Sequence, residues 1–113
     1  MGKKESKFQA ELIKEIGLIF KDAIVMKLDA GLKQGIPDLL ILWKDRWATL
    51  ECKKSANAKR RPNQEYYVDR MNSMSFSRFI FPENKEEVLN ELQQAFGSER
   101  HTRNIRRKSK RVA

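Results

Sequence analysis

The feature that most constrains this fold is a pair of adjoining strand patterns between Pro37 and Lys53. Pro37 forbids a helix running through this point, and residues 38–43, an aspartate followed by five apolar residues, predict a buried strand. After a short turn, residues 47–53 alternate, so that Glu51 and Lys53 share one face of a strand. The middle of the chain therefore predicts a β-hairpin with charged side chains on one face.

The segments on either side of this hairpin predict a mixed architecture. Helical periodicity covers residues 5–20 and 62–74, strand patterns cover residues 23–28 and 78–81, and a last helix begins near Asn84 and is expected to end at Gly97. The element order is α-β-β-β-α-β-α, which predicts an α/β fold. A chain of 113 residues suits one compact domain, which we place at residues 1–97, followed by a basic flexible tail at residues 98–113.

Positive charge is concentrated in two places. The chain has a net charge of +9, and its last fourteen residues hold seven Lys or Arg and no carboxylate. A second cluster follows Lys53 and also lacks acids. Together the two clusters predict a polyanionic partner, with nucleic acid favoured over an idle solubilising tail. The candidate DNA-binding residues are Lys54, Lys59, Arg60, Arg61, Arg103, Arg106, Arg107 and Lys108.

Composition excludes several other classes. With one cysteine, Cys52, and one histidine, His101, the chain cannot build a zinc site of the Cys/His kind, so any metal must sit among oxygen ligands. The lone cysteine fits a reducing cytoplasm, and the alternation predicts that its thiol packs in the core. The longest uncharged apolar run, Leu39 to Trp43, is far too short to span a membrane, and the N-terminal residues lack the apolar stretch of a secretory signal.

Glu5 occupies an unexpected position on the first helix. At 100° per residue it falls near the middle of the apolar stripe that includes Phe8, Leu12 and Ile16. Burying a carboxylate is costly unless it is paired or bound to a metal. The alternative is that Glu5 lies in a frayed first turn, where acids suit the helix N-terminus. Both interpretations remain open.

The residues best suited to chemistry are Asp38 and, after twelve intervening residues, Glu51-Cys52-Lys53. Asp38 and Glu51 offer oxygen ligands for a hard cation beside a phosphate, and the backbone carbonyl of Cys52 is a plausible third ligand. Lys53 projects to the same side as Glu51, where it could activate water or stabilise the charge of a reacting phosphate. The competing interpretation treats Glu51 and Lys53 as a surface ion pair of little consequence.

The hairpin register decides whether this site can form. If position 43 pairs with 47, Asp38 faces Cys52 and points to the wrong side. A two-residue turn at Asp45-Arg46 would place Asp38 opposite Lys53, and a loop from Trp43 to Arg46 would place it opposite Glu51. The site requires one of the last two registers, or a bulge.

These residues resemble the PD-(D/E)XK nuclease superfamily, and more closely its virus-type replication-repair nuclease (VRR-NUC) pattern. The resemblance rests on three segments and covers residues 5 to about 96: Gly35-Ile36-Pro37-Asp38-Leu39-Leu40, Glu51-Cys52-Lys53-Lys54 and Pro62-Asn63-Gln64. It implies a restriction-endonuclease-like mixed β-sheet flanked by helices, Mg²⁺ or Mn²⁺ dependence and DNA cleavage. It also implies roles for Glu5, as an inward acid on the first helix that ligates the metal, and for Gln64, at the start of the helix after the motif. For Gln64 a helix-capping role is equally compatible with the sequence.

The leading functional hypothesis is a metal-dependent DNA endonuclease that is selective for branched DNA such as four-way junctions. One alternative is an endonuclease that recognises a sequence or cuts duplex DNA broadly, and another is a non-catalytic basic DNA-binding protein. A homodimer is expected if two strands are cut symmetrically, and no small-molecule cofactor is expected. Small stand-alone relatives of this pattern are similar to phage enzymes, which suggests a virus-encoded protein acting in the cytoplasm of a host.

Overall fold

The computed structural model describes the backbone of residues 3–110 and the side chains of residues 3–97. Its elements follow the predicted order: α1 (Lys3–Ile19), β1 (Ile24–Lys27), β2 (Leu39–Trp43), β3 (Arg46–Cys52), α2 (Gln64–Met74), β4 (Ser77–Ile80), a 3-10 turn (Pro82–Asn84) and α3 (Lys85–Lys110). The predicted strands are displaced by no more than one residue at either end. The fold class is confirmed as a mixed α/β sheet flanked by helices, of restriction-endonuclease-like architecture.

The four strands form one sheet in the order β1-β2-β3-β4. The first three strands are antiparallel, and β4 runs parallel to β3. A parallel pair needs a crossover connection, which α2 provides between β3 and β4. The two strands that carry the predicted motif, β2 and β3, are therefore the inner strands of the sheet.

The two faces of the sheet are covered differently. On one face, alternate side chains of β2 and β3 pack against α1 and α3 in a single apolar core whose largest members include Leu12, Ile16, Leu39, Ile41, Leu50, Ile80, Leu92 and Phe96. On the other face, α2 covers β3 and β4 through Val68 and Met71. No helix covers β1 and β2 on that second face within residues 3–97, where Ile24, Met26 and Leu42 are exposed.

The expected end of the last helix at Gly97 is wrong. Helix α3 passes through Gly97 and runs to Lys110. A glycine inside a helix costs only about 1 kcal/mol relative to alanine, and many of the residues after it are Arg, Lys or Glu, which favour helix. The boundary between a domain and a tail at residue 98 stays a prediction. The DNA-binding predictions for Arg103, Arg106, Arg107 and Lys108 concern side chains that lie outside the described residues.

No helix between residues 3 and 110 is both long enough and apolar enough to cross a membrane.

Candidate active site

The observed register places Asp38 on the same face of the sheet as Glu51. Trp43 pairs with Arg46 and Leu39 pairs with Leu50, so Asp38, one residue before Leu39, stands opposite Glu51. The register thus satisfies the geometric requirement derived from the sequence, and no bulge is needed. The backbone of Asp38 is held by the Leu28 amide, which donates to its carbonyl at 2.8 Å.

A hydrogen bond from β3 fixes the carboxylate of Asp38. The backbone N–H of Cys52 donates to Asp38 Oδ2 at 2.9 Å. Within a β-strand the N–H and C=O groups of one residue point to the same side, so the Cys52 carbonyl also points towards Asp38. Continuing the register by two positions brings Pro37 opposite Cys52, and proline has no N–H to donate to that carbonyl. The Cys52 carbonyl, which is the predicted third metal ligand, therefore receives no backbone hydrogen bond from β2.

Glu51 is the most unusual group of the site. It is only 2% exposed, which excludes the interpretation of Glu51 and Lys53 as a surface pair. Its Oε2 accepts a hydrogen bond of 2.7 Å from Gln64 Nε2, whereas its Oε1 is buried and has no hydrogen-bond partner in the structure. A buried carboxylate oxygen with no donor carries a desolvation cost that a bound cation would remove.

The pKa values of both carboxylates, Asp38 and Glu51, are raised. Burial raises the pKa of Glu51 to about 8, and the negative charges of Asp38 and Glu5 add to the rise, while Lys53 opposes it. Burial also raises the pKa of Asp38, against the lowering effect of the Cys52 N–H and Lys53. Burial is the main cause of both rises, and neighbouring carboxylates with raised pKa values are typical of functional sites.

Lys53 supplies the cation nearest to the pair. It is 7% exposed, its Nζ lies 3.8 Å from Glu51 Oε2, and the same Nζ donates to the carbonyl of Lys59 at 3.1 Å. Lys59 belongs to the basic loop that follows Lys53 (residues 54–61), so this hydrogen bond fastens the loop to the site. The ammonium group is therefore held in place beside Glu51.

Gln64 connects the start of α2 to the carboxylates. While its Nε2 donates to Glu51, its Oε1 accepts a hydrogen bond of 2.7 Å from the Arg61 backbone N–H. One end of the amide thus serves the backbone before the helix and the other end holds Glu51. A contact of Gln64 with a phosphate or with metal-bound water stays a prediction.

Gly35 allows α2 to approach the motif this closely. Its φ is +92°, and a Cβ at this position would lie 2.6 Å from the Cβ of Asn63 and 2.7 Å from its carbonyl carbon. Asn63, which caps α2, is itself left-handed with φ 70°. Only glycine fits here, so the loop before Asp38 and the start of α2 are locked together. Sequence reasoning missed this contact, because no local pattern links two segments so far apart in the chain.

These residues surround one cavity of about 350 Å³ at the end of the sheet. Its lining includes all five predicted catalytic side chains, together with Arg61 and Gly35: Glu5, Asp38, Glu51, Lys53 and Gln64. The structure therefore brings together every side chain that the sequence singled out for chemistry. Glu5 comes from the first turn of α1 and is half-buried at the cavity, so its position serves both interpretations given from sequence.

The donor set fits a hard divalent cation. Asp38 and Glu51 line one cavity, and the Cys52 carbonyl lies on the Asp38 side of β3, so the available donors are the oxygen atoms that Mg²⁺ prefers. Among residues 3–97, no group of three or more His, Cys, Asp or Glu side chains is placed to hold a metal ion. Mg²⁺ is commonly held by one or two carboxylates, with waters and substrate phosphate completing its shell. A ligand role for Glu5 stays a prediction.

Cys52 itself is not a nucleophile. Its side chain is fully buried on the core face, and burial, reinforced by the charge of Asp38, raises the pKa of its thiol well above the ordinary value. The packed thiol predicted from the alternation is what the structure contains.

The predicted DNA-binding residues of the basic loop take different positions. Lys54, Lys59, Arg60 and Arg61 are all exposed, and Arg61 lines the cavity of the carboxylates. Arg60 is partly neutralised, because its Nη1 lies 2.9 Å from Glu65 Oε2 and its guanidinium covers the ring of Phe79. Arg61, Lys59 and Lys54 are thus the loop cations best placed to meet a polyanion.

Comparison with known proteins supports the same class. A solved structure described as a VRR_NUC domain matches with a TM-score of 0.56 and 27% sequence identity, over 71% of this chain and 85% of that one. No family model matches the chain, and no curated protein matches it significantly. The chain therefore has a VRR-NUC-like fold, which is a nuclease-type fold.

Proposed function

We propose that this protein is a metal-dependent DNA endonuclease whose active site is built from Asp38, Glu51 and Lys53. The observation that carries the proposal is the buried, unpartnered Oε1 of Glu51, set beside a second carboxylate and a fixed ammonium group. Such a set is costly to fold without a cation. The likeness to a VRR_NUC domain supports phosphodiester cleavage as the chemistry.

Each side chain has a distinct task in hydrolysis, in which a water oxygen bonds to phosphorus and a sugar oxygen leaves with a proton. Asp38, Glu51 and the Cys52 carbonyl would hold Mg²⁺ or Mn²⁺, which supplies Lewis-acid polarisation of the phosphate when bound. Lys53 orients the attacking water or stabilises the charge that develops on the phosphate oxygens. Gln64 holds Glu51 in place through its 2.7 Å hydrogen bond, and Arg61 binds the phosphate at the cavity wall.

Branched DNA is the substrate that we favour. A groove lined by Lys59, Arg61 and Tyr66 continues from the cavity, because Arg61 borders both. Tyr66 is 59% exposed, and an aromatic ring beside cations is a stacking platform for an unpaired base. Bases next to a branch point unstack more readily than those inside a continuous duplex. Tyr66 therefore supports selection of DNA structure over sequence.

Symmetric cutting of a junction requires two active sites, so we further propose that the protein acts as a homodimer. The exposed apolar side chains of Ile24, Met26 and Leu42 lie on the face of the sheet that carries Asp38, and a second copy would cover them. Met26→Glu should then shift the mass measured by light scattering from dimer to monomer, whereas Leu32→Glu, at an exposed position outside the sheet, should not. A wild-type protein that is monomeric at micromolar concentration would refute the dimer.

The nuclease proposal is tested by cleavage of a labelled four-way junction and a linear duplex of matching sequence, with Mg²⁺, Mn²⁺ or EDTA. We expect metal-dependent cutting that is lost in Lys53→Ala and retained in Lys14→Ala, which removes an equal charge from an exposed position on α1. Preference for the junction would support structure selection, and equal cutting of the duplex would indicate a general endonuclease. An absence of cutting with both metals would refute the proposal.

A further inference from the structure

A second basic groove lies on the α1 and α3 side of the sheet, away from the groove of Tyr66. It has a volume of about 450 Å³ and is lined by Lys4, Lys7, Phe8, Glu11, Lys54, Pro82 and Lys85. Four lysines from three separate segments thus converge on one groove with a single carboxylate. The convergence is not visible in the sequence, where Lys4 and Lys54 are fifty residues apart.

Among the described side chains, three of these lysines form no ion pair. Lys85 is paired with Glu15 at 2.8 Å, but no ion pair within residues 3–97 involves Lys4, Lys7 or Lys54. All three are exposed. Like charges that share a groove repel one another, and a polyanion is the ligand that would relieve this repulsion.

The position of Lys4 also costs helix stability. It lies in the first turn of α1, where the helix dipole disfavours a cation by about 0.3–1 kcal/mol. Residues 4, 7 and 11 follow one face of the helix at spacings of three and four, so Lys4 and Lys7 face the groove together. Helix stability therefore does not explain the lysine at position 4, whereas a bound anion would.

The lysine groove and the cavity of the carboxylates are lined by residues that are neighbours in the chain. Lys54 follows Lys53, which lines the cavity of the carboxylates, and Glu5 of the same cavity lies between Lys4 and Lys7 on α1. A DNA strand whose phosphate enters the cavity must leave it in two directions. The groove of Arg61 and Tyr66 accepts one direction on the α2 side, and the lysine groove lies on the other.

We infer that Lys4, Lys7 and Lys54 bind the phosphates of the DNA strand that extends beyond the scissile phosphate on the α1 side. The inference rests on the proposed nuclease function and joins Lys54 of the predicted basic loop to Lys4 and Lys7, which belong to neither predicted basic cluster. It defines a minimum substrate, because DNA that ends at the cavity on this side cannot reach the lysines.

The test is the salt dependence of DNA binding in EDTA, where no cutting occurs. Each lost phosphate contact lowers the slope of log K against log salt by about 0.9 for duplex DNA, so Lys4→Ala/Lys7→Ala should lower it by roughly 2. The matched control, Lys14→Ala/Lys21→Ala, removes the same charge from exposed positions outside the groove and should change the slope far less. Equal slopes for the two double variants would overturn the inference.

A length series separates this inference from the nuclease proposal. The DNA is shortened by single nucleotides from the end that extends towards α1. The wild type and the control should lose affinity in a step at the length at which the DNA no longer reaches Lys4 and Lys7. The Lys4→Ala/Lys7→Ala variant should show no step at that length. Wild-type cutting with no such step would refute the groove and leave the nuclease intact. A step in binding without any metal-dependent cutting would support the groove and refute the nuclease.

Discussion

Replacing Glu51 by glutamine should make the metal-free protein more stable at alkaline pH. The substitution keeps the shape of the side chain and an oxygen that can accept the Gln64 hydrogen bond, but it removes the buried charge. In the folded protein the pKa of Glu51 is about 8, against an ordinary value of 4.5. Wild-type Glu51 therefore binds its proton more tightly when folded than when unfolded.

The sign and size of the effect follow from this difference in pKa. Below pH 4.5 both states are protonated and the contribution to stability is fully present; it is then lost as pH rises towards 8, because only the folded state still holds the proton. At 1.36 kcal/mol per pKa unit, the wild type loses roughly 5 kcal/mol at most across this window. The pKa of Asp38 is also raised, so its contribution to stability falls with rising pH in the wild type and in the variant alike. The stability difference between Glu51→Gln and wild type should therefore grow from near zero at pH 5 to several kcal/mol at pH 9.

Urea unfolding in EDTA at unit steps between pH 5 and 9 measures this difference directly. Glu86→Gln, at an exposed carboxylate on α3, controls for the loss of one negative charge. The reasoning would be refuted if Glu51→Gln were less stable than wild type at pH 9, or if their difference did not change with pH.

Three further outcomes are expected. Mn²⁺ affinity should rise about tenfold from pH 6 to 7 and by a smaller factor from pH 7 to 8, since binding must release the Glu51 proton; titration calorimetry with an affinity independent of pH would contradict this. Gly35→Ala should lower the free energy of unfolding by at least 1–3 kcal/mol through its contact with Asn63 and its positive φ, whereas Gly17→Ala, with open space around it, should raise it by up to about 1 kcal/mol. Gln64→Ala should cost about 1–3 kcal/mol in urea unfolding, because it leaves the Arg61 N–H without its acceptor and Glu51 without its donor, and a neutral effect would argue against this coupling.

Much of the fold could be predicted because its strands carry strong periodic signals. The alternation of residues 47–53 assigned Glu51 and Lys53 to one face, and the structure confirms this by burying both on the face that α2 covers. The sequence determined the pairing register of β2 and β3 less well. The turn is formed by Lys44 and Asp45, and Lys44 has φ 58° without being one of the residues that usually indicate such a turn. Sequence alone therefore left the partner of Asp38 open among three residues.

The features that sequence missed depend on contacts between distant segments or on a balance of small energies. The approach of Gly35 to Asn63 and the convergence of Lys4 with Lys54 arise only when the chain folds. The end predicted at Gly97 was wrong because one unfavourable glycine was weighed without the helix-forming residues that follow it.

Cleavage and DNA affinity, measured together on Asp38→Asn with saturating Mg²⁺, test whether this carboxylate takes part in catalysis. We expect cutting to disappear while affinity survives or increases, because a negative charge beside the phosphate has been removed and the hydrogen bond from the Cys52 N–H can persist. Wild-type protein that binds DNA without cutting it, together with an Asp38→Asn variant that behaves identically, would contradict the claim and identify a basic DNA-binding protein instead.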